Sequence, residues 1–325
     1  MIELNMVFKK AWLATLVVLM MMGVGSSAVA DRVIIIAGKG GQPAYTEKFN
    51  GYADKLHRTL LEKLGYQASQ ITVLREGRND STTHLRKAVA NLATLPPDEQ
   101  VVVIYFGHGT YDGRWAKLNL AGPDLRDLDL ANLLDGLPAR QQIFIHTGAA
   151  SGPFIQKLSR TNRVIITATR SGDENQTTLF PEFFIDALTA TGDADLDKNG
   201  EVSMLEAFDY ARDRLVRFYE DAKRLRPEHP LLDDNGDGVG SETPSTTSSD
   251  GRIANRMYLK ARASAPTGEI SALDPLQREK VELLDAIEAF KAQKGSIPDT
   301  EYKQQLEELF IRLARLNRQI KETTP

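Results

Sequence analysis

The chain has 325 residues, 42% of them hydrophobic, which is more than one small domain needs and enough for a sizeable core. Its 44 acidic against 40 basic residues leave a net charge of −4, which argues against nucleic acid as a partner. The chain contains no cysteine, so neither a thiol nucleophile nor a disulfide is available to it.

In chain order, residues 1–30 read as an export signal. Lys9 and Lys10 precede the apolar stretch 11–24, and Ala28-Val29-Ala30 is a small-x-small cleavage site that leaves Asp31 as the expected mature end. The apolar run falls short of the ~20 residues of a spanning helix, so an uncleaved anchor is the lesser alternative. No later stretch is long enough to cross a bilayer. The expected location is therefore periplasmic or secreted, with no membrane span once the signal is removed.

Residues 32–36 open the mature chain as a buried strand, and Ala37-Gly38-Lys39-Gly40-Gly41 follows as a tight turn. That turn lacks the spacing and the Lys-Ser/Thr ending of a phosphate-binding loop. Phe49, Tyr52, Leu56, Leu60 and Leu64 recur at three and four, predicting an amphipathic helix over 47–64. A strand at 70–74 and a helix over 81–95, with Ser81 or Thr82 as N-cap, come next. The run Val101 to Phe106 then enters Gly107-His108-Gly109, and the run Gln142 to Ile145 enters His146-Thr147-Gly148-Ala149-Ala150-Ser151-Gly152. Short helices are expected near 128–134, 152–158 and from 182, with a fifth apolar strand at 164–168. Such alternation predicts an α/β fold with a largely parallel sheet, helices on both faces, and both polar tips at its carboxyl edge.

The order of these tips, Phe106-Gly107-His108-Gly109 and then a small-residue loop with Ser151-Gly152, resembles the caspase and legumain group of cysteine peptidases over roughly 32–260. The resemblance implies a caspase-like three-layer sandwich, a catalytic imidazole at His108 beside Gly109, and a nucleophile at the position of Ala149. It also implies a substrate cleft that draws on Ser151, Arg170, Ser171 and Asp173. In legumain-like members the second loop reads roughly Glu-Ala-Cys-Glu-Ser-Gly, whereas here the cysteine position is Ala149. A dyad peptidase needs a thiolate to attack and an imidazole to move protons, and a methyl group offers no lone pair. The expectation is a peptidase fold without peptidase chemistry that still binds peptide or protein. An active hydrolase using Ser151 or Thr147, and a purely structural envelope protein, are the alternatives. His146 matches nothing in the family pattern and is expected to be structural. The reading Ala44-Tyr45-Thr46-Glu47 gives no ground for the asparagine preference of animal and plant legumains.

Two Asp-rich segments have metal-ligand spacing. Residues 195–206 place Asp195, Asp197 and Asn199 at positions one, three and five, Gly200 at six, the Glu201 carbonyl at seven, Ser203 at nine and Glu206 at twelve. This is a complete EF-hand loop, in which oxygens wrap one hard cation, and bound structural Ca²⁺ is the expectation. Residues 233–244 repeat only the first half, with Asp233, Asn235 and Asp237 at positions one, three and five and Pro244 at twelve. Here a cation site completed from elsewhere and a solvated turn remain equally open.

A Ser/Thr-rich loop at 240–251 precedes an expected returning strand at 252–260, which closes a domain spanning 31–262. After a linker at 263–272, Leu276, Leu283, Ile287 and Phe290 mark one helix face. Lys294-Gly295-Ser296-Ile297-Pro298 breaks it, and Tyr302, Leu306, Leu309, Leu313, Leu316 and Ile320 mark a second. A helical hairpin over 273–322 follows, either docked on its own domain or free for self-association or partner binding.

Overall fold

The computed structural model of the chain describes residues 31–76, 81–96, 99–139, 141–189, 191–259 and 298–323, with residues 276, 279, 283, 286, 287 and 290 of a further helix. The expected export signal at 1–30 and the expected linker at 263–272 lie outside the described residues.

Strand β1 (Arg32–Ala37) leads through α1 (Pro43–Glu62) to β2 (Ile71–Leu74), and α2 (Ser81–Ala90) leads to β3 (Gln100–Phe106). Proline at the start of α1 fits a position whose N–H has no helical acceptor. A small antiparallel sheet of β4 (Gly109–Tyr111), β5 (Ala116–Leu118) and β6 (Leu125–Arg126) follows, then α3 (Asp127–Asp135) and β7 (Gln141–His146). The chain continues through α4 (Phe154–Leu158), β8 (Arg163–Thr167), α5 (Phe180–Thr189), α6 (Thr191–Ala194), α7 (Met204–Asp221) and β9 (Leu231–Asp233). A last helix, α8, spans Asp299–Thr323.

The main sheet has the order β2-β1-β3-β7-β8-β9. Its pairings are parallel except the last, where β9 runs antiparallel to β8. Alternation along each strand supplies both faces. Val33, Ile35, Val102, Ile104, Ile143, Ile145, Val164 and Ile166 join the core under α1, α5 and α7. Ile34, Ile36, Val101, Val103, Phe144 and Ile165 face the opposite core with α2, α3 and α4. Strands buried on both faces must be apolar at every position, which is why the sequence runs are continuous rather than alternating. The result is a mixed α/β protein with a mostly parallel central sheet between helical layers, consistent with a caspase-like three-layer sandwich.

Two parts of the fold depart from expectation. The closing strand is Leu231–Asp233, which pairs Ile165 with Asp233, Ile166 with Leu232 and Thr167 with Leu231. Residues 252–259 instead form a 3-10 turn at Ala254–Arg256 and a single bridge between Tyr258 and Ser203. Met257 and Leu259 are buried, so their apolar character serves packing, while β9 takes the place at the edge of β8. The β4–β6 sheet was also unexpected, because its strands are three residues or fewer and carry no run from which to read a period.

In the C-terminal region, Leu283, Ile287 and Leu316 are buried in a cluster of their own, joined by Leu276, Leu306, Leu309 and Leu313. Phe290 stacks on Tyr302 at 5.3 Å, and Arg312 pairs with Glu279 at 2.6 Å. The two apolar stripes read from the sequence thus meet each other.

Candidate functional site

The order of the sheet changes direction between β1 and β3, and the carboxyl ends of open α/β sheets at such a point form a crevice. His108 lies there, just past the end of β3. The Tyr105 hydroxyl donates to the carbonyls of His108 at 2.7 Å and Asn119 at 2.9 Å, which pins the turn from below. The half-buried His108 ring stands edge-on to Tyr45 at 4.7 Å and Phe49 at 4.9 Å, both from α1. Burial lowers its pKa, and the nearby Gly40 carbonyl opposes that shift. An imidazole that burial holds neutral keeps one ring nitrogen free to accept a proton, which a general base requires.

The tip of β7 lies beside it. Gly107 and Gly148 are in such close approach that a methyl group on Gly148 would run into the Gly107 carbonyl, and one on Gly109 would run into the Ala149 carbonyl. Glycine at these positions lets the two tips touch. Ala149 is almost fully buried, and Ala150 adopts a left-handed φ of 51° while its N–H donates to the Glu174 carbonyl at 2.9 Å. His108, Gly107, Thr147, Gly148 and Ala149 line one narrow cleft, with Lys48, Phe49, Tyr52, Thr177 and Thr178 on its other walls.

Ser151 was expected in the substrate cleft, and the structure places it elsewhere. Its side chain is fully buried, its Oγ lies 3.0 Å from Thr169 Oγ1 and accepts from the Thr169 N–H at 3.0 Å, and its own N–H donates to Thr169 Oγ1 at 2.8 Å. The hydroxyl is consumed in fastening the loop after β7 to the loop after β8. Thr147 is similarly engaged, its Oγ1 donating to the Tyr105 carbonyl at 2.8 Å. Arg170, Ser171 and Asp173 do come together, in a separate open groove with Tyr111, Gly152 and Val239. Arg170 pairs there with Glu174 at 3.1 Å. Glu174 also takes His229 Nδ1 at 2.6 Å and the N–H groups of Arg170 and His229 at 3.0 Å each.

His146 is fully buried among Tyr105, Phe144 and Phe154. Its Nδ1 accepts from the Gly148 N–H at 3.1 Å, and its Nε2 has no hydrogen-bond partner. Burial pushes its pKa down to about 3, so it serves as a neutral brace under the β7 tip. The Gly40 carbonyl and the wall residues Lys48, Thr177 and Thr178 were not anticipated. A glycine just after a buried strand was the one available signal, and it pointed only to a turn.

The loop 195–206 closes on itself as its spacing demands. Asp195, Asp197 and Glu206 bring carboxylate oxygens within 4.8 Å of one another. Asp195 accepts from the N–H groups of Asn199 at 3.1 Å and Gly200 at 2.9 Å. Ser203 caps α7, its Oγ accepting from the Glu206 N–H while Glu206 Oε2 accepts from the Ser203 N–H at 2.9 Å. Lys198 and Gly200 take left-handed φ values of 61° and 90°, at positions four and six.

No family model matches the chain, and no curated protein matches it. Among solved structures it is similar to a caspase-1 from Spodoptera frugiperda, with 14% sequence identity, 63% of this chain and 86% of that chain covered, and a TM-score of 0.41. A likeness that distant carries no weight for chemistry, and the α/β class stands on the strand order and register above.

Proposed function

We propose that the protein is an exported, calcium-binding pseudopeptidase that holds a peptide or protein segment in the cleft at His108 and acts as a scaffold or regulator. The observation that carries the reading is the shared cleft of His108 and Ala149, in a chain without a single cysteine. The imidazole is seated against Tyr45 and Phe49, while the neighbouring position that resembles the family's nucleophile has only a methyl group. Loss of the nucleophile from a cooperative constellation costs on the order of 10⁶ in turnover. The burial and hydrogen bonding of Ser151 and Thr147 speak against their use as replacements. Residues 195–206 would hold the structural cation through Asp195, Asp197, Asn199, Ser203, Glu206 and the Glu201 carbonyl.

The test is cleavage of a broad peptide library by the full mature chain and by Ala149→Cys, with and without Ca²⁺. The expected result is cleavage by the variant alone, whose sites then report what the cleft binds. Turnover by the unaltered chain that disappears in His108→Ala would replace this reading with that of an active hydrolase. Silence of both proteins would overturn the assignment of the cleft.

A further inference from the structure

We propose that the chain holds a second divalent-cation site at the end of β9, built by Asp233, Asn235 and Asp237. The loop 195–206 is its structural counterpart, and the site is independent of the peptidase reading. In both segments positions four and six adopt left-handed backbone, Lys198 and Gly200 in the first and Gly236 (φ 84°) and Gly238 (φ 77°) in the second. The side-chain turns repeat as well. Asp197 and Asn199 accept from the N–H two residues on at 3.0 and 2.8 Å, and Asn235 and Asp237 do the same at 2.7 Å each.

The two segments part at position one. Both oxygens of Asp195 accept backbone N–H groups. Asp233 is fully buried, and neither of its oxygens has a hydrogen-bond partner. The Ser159 hydroxyl and the Gly236 N–H face it and favour its charged form, yet neither reaches hydrogen-bonding geometry. The N–H that would answer it by analogy, that of Gly238, donates to Ser159 Oγ at 2.9 Å instead. Among the described residues no lysine or arginine pairs with it, and the side chains closest to it in charge are acidic: Asp234, Asp237 and Asp250. Asp234 is occupied, accepting from Gly251 at 3.0 Å and from Ile253 and Ala254 at 2.8 Å each. Asp250 is buried, and its Oδ1 accepts from the Asp234 N–H.

A buried carboxylate without donors or a counter-ion is strongly destabilising, and here further carboxylates add to the same field. A hard cation removes both penalties, and an all-oxygen donor set selects Ca²⁺ over softer metals. Pro244 at position twelve offers no carboxylate, so fewer protein ligands and weaker binding than in 195–206 are expected. The site has a structural consequence, since Gly238, Val239 and Gly240 form one wall of the groove that holds Arg170, Ser171 and Asp173. Cation binding would set the position of that wall.

The experiment is calorimetric titration of the full mature chain with Ca²⁺, together with melting in EDTA. Two equivalents are expected in the unaltered protein and one in Glu206→Gln. Asp237→Asn, at an exposed position, should weaken the equivalent that Glu206→Gln retains by about tenfold or more. Asp233→Asn should raise Tm in EDTA and, in the Glu206→Gln background, abolish the rise in Tm on adding Ca²⁺. Absence of Ca²⁺ uptake by Glu206→Gln, an isotherm unmoved by both second-loop variants, or a Tm lowered by Asp233→Asn in EDTA would each overturn the proposal. Only the behaviour of Asp195 and Glu206 variants bears on the first loop, so the two sites fail separately.

Discussion

The tips of β3 and β7 are neighbours in one sheet, yet they present different chemistry. At β3 the tip carries an imidazole in a fixed setting, with the Tyr105 hydroxyl bonded beneath the turn and the Tyr45 and Phe49 rings beside it. At β7 an equally fixed tip carries only a methyl group. Gly148 fits against Gly107, Ser151 ties Thr169, and His146 braces the turn, but the position they present is Ala149. The contrast teaches that a strand tip is held by interactions separate from those that make it reactive.

The strongest way to break the comparison is to place a thiol at the β7 tip. In the Ala149→Cys background, turnover is expected to fall about 10³-fold or more on adding His108→Ala, as measured by initial rates on a cleaved peptide. Unchanged turnover would mean that the two tips do not cooperate. Next in size is Gly148→Ala, whose methyl group would collide with the Gly107 carbonyl. We expect about 3 kcal/mol of lost stability in urea unfolding, because backbone rather than a flexible side chain must move.

Ser151→Ala should cost about 1–3 kcal/mol in the same assay, since Thr169 loses a buried partner while the cleft keeps its lining. An undiminished stability would place Ser151 back among candidates for a role in the cleft. The last expected effect appears only in acid, as a pH dependence of stability. His146 falls from the ordinary 6.5 to about 3 in the folded state, so below pH 6.5 the unfolded chain takes up a proton that the folded chain refuses. Its contribution to stability is therefore complete above 6.5 and lost as pH falls toward 3. His146→Gln should flatten the slope of stability against pH in that window, read from unfolding midpoints at stepped pH.

Much of this was legible in the chain. Continuous runs such as Val101 to Phe106 announce strands buried on both faces, because each residue must be apolar whichever way it points. The spacing from Asp195 to Glu206 announces its own closure, since the ligand positions lie within twelve residues. Arg170, Ser171 and Asp173 were expected in the cleft and lie in a neighbouring groove, because the twelve-residue loop from β8 to α5 carries no sign of which side it turns to. Ser151 looked available because it sits in a small-residue loop, and its burial depends on Thr169, a partner eighteen residues away.

The sequence by itself therefore determined the five parallel strands and their two-faced core, the His108 and Ala149 tips, and the absence of any thiol, because these rest on residue identity and local periodicity. Tertiary structure alone decided that Leu231–Asp233 rather than 252–260 closes the sheet, and that Glu174 gathers Arg170 and His229. It also decided that Asp233 is buried without a donor while Asp195 is not. Those outcomes depend on which distant segment reaches an edge or a carboxylate first, and the backbone N–H that answers Asp195 is taken at the second loop by a serine from α4's far end.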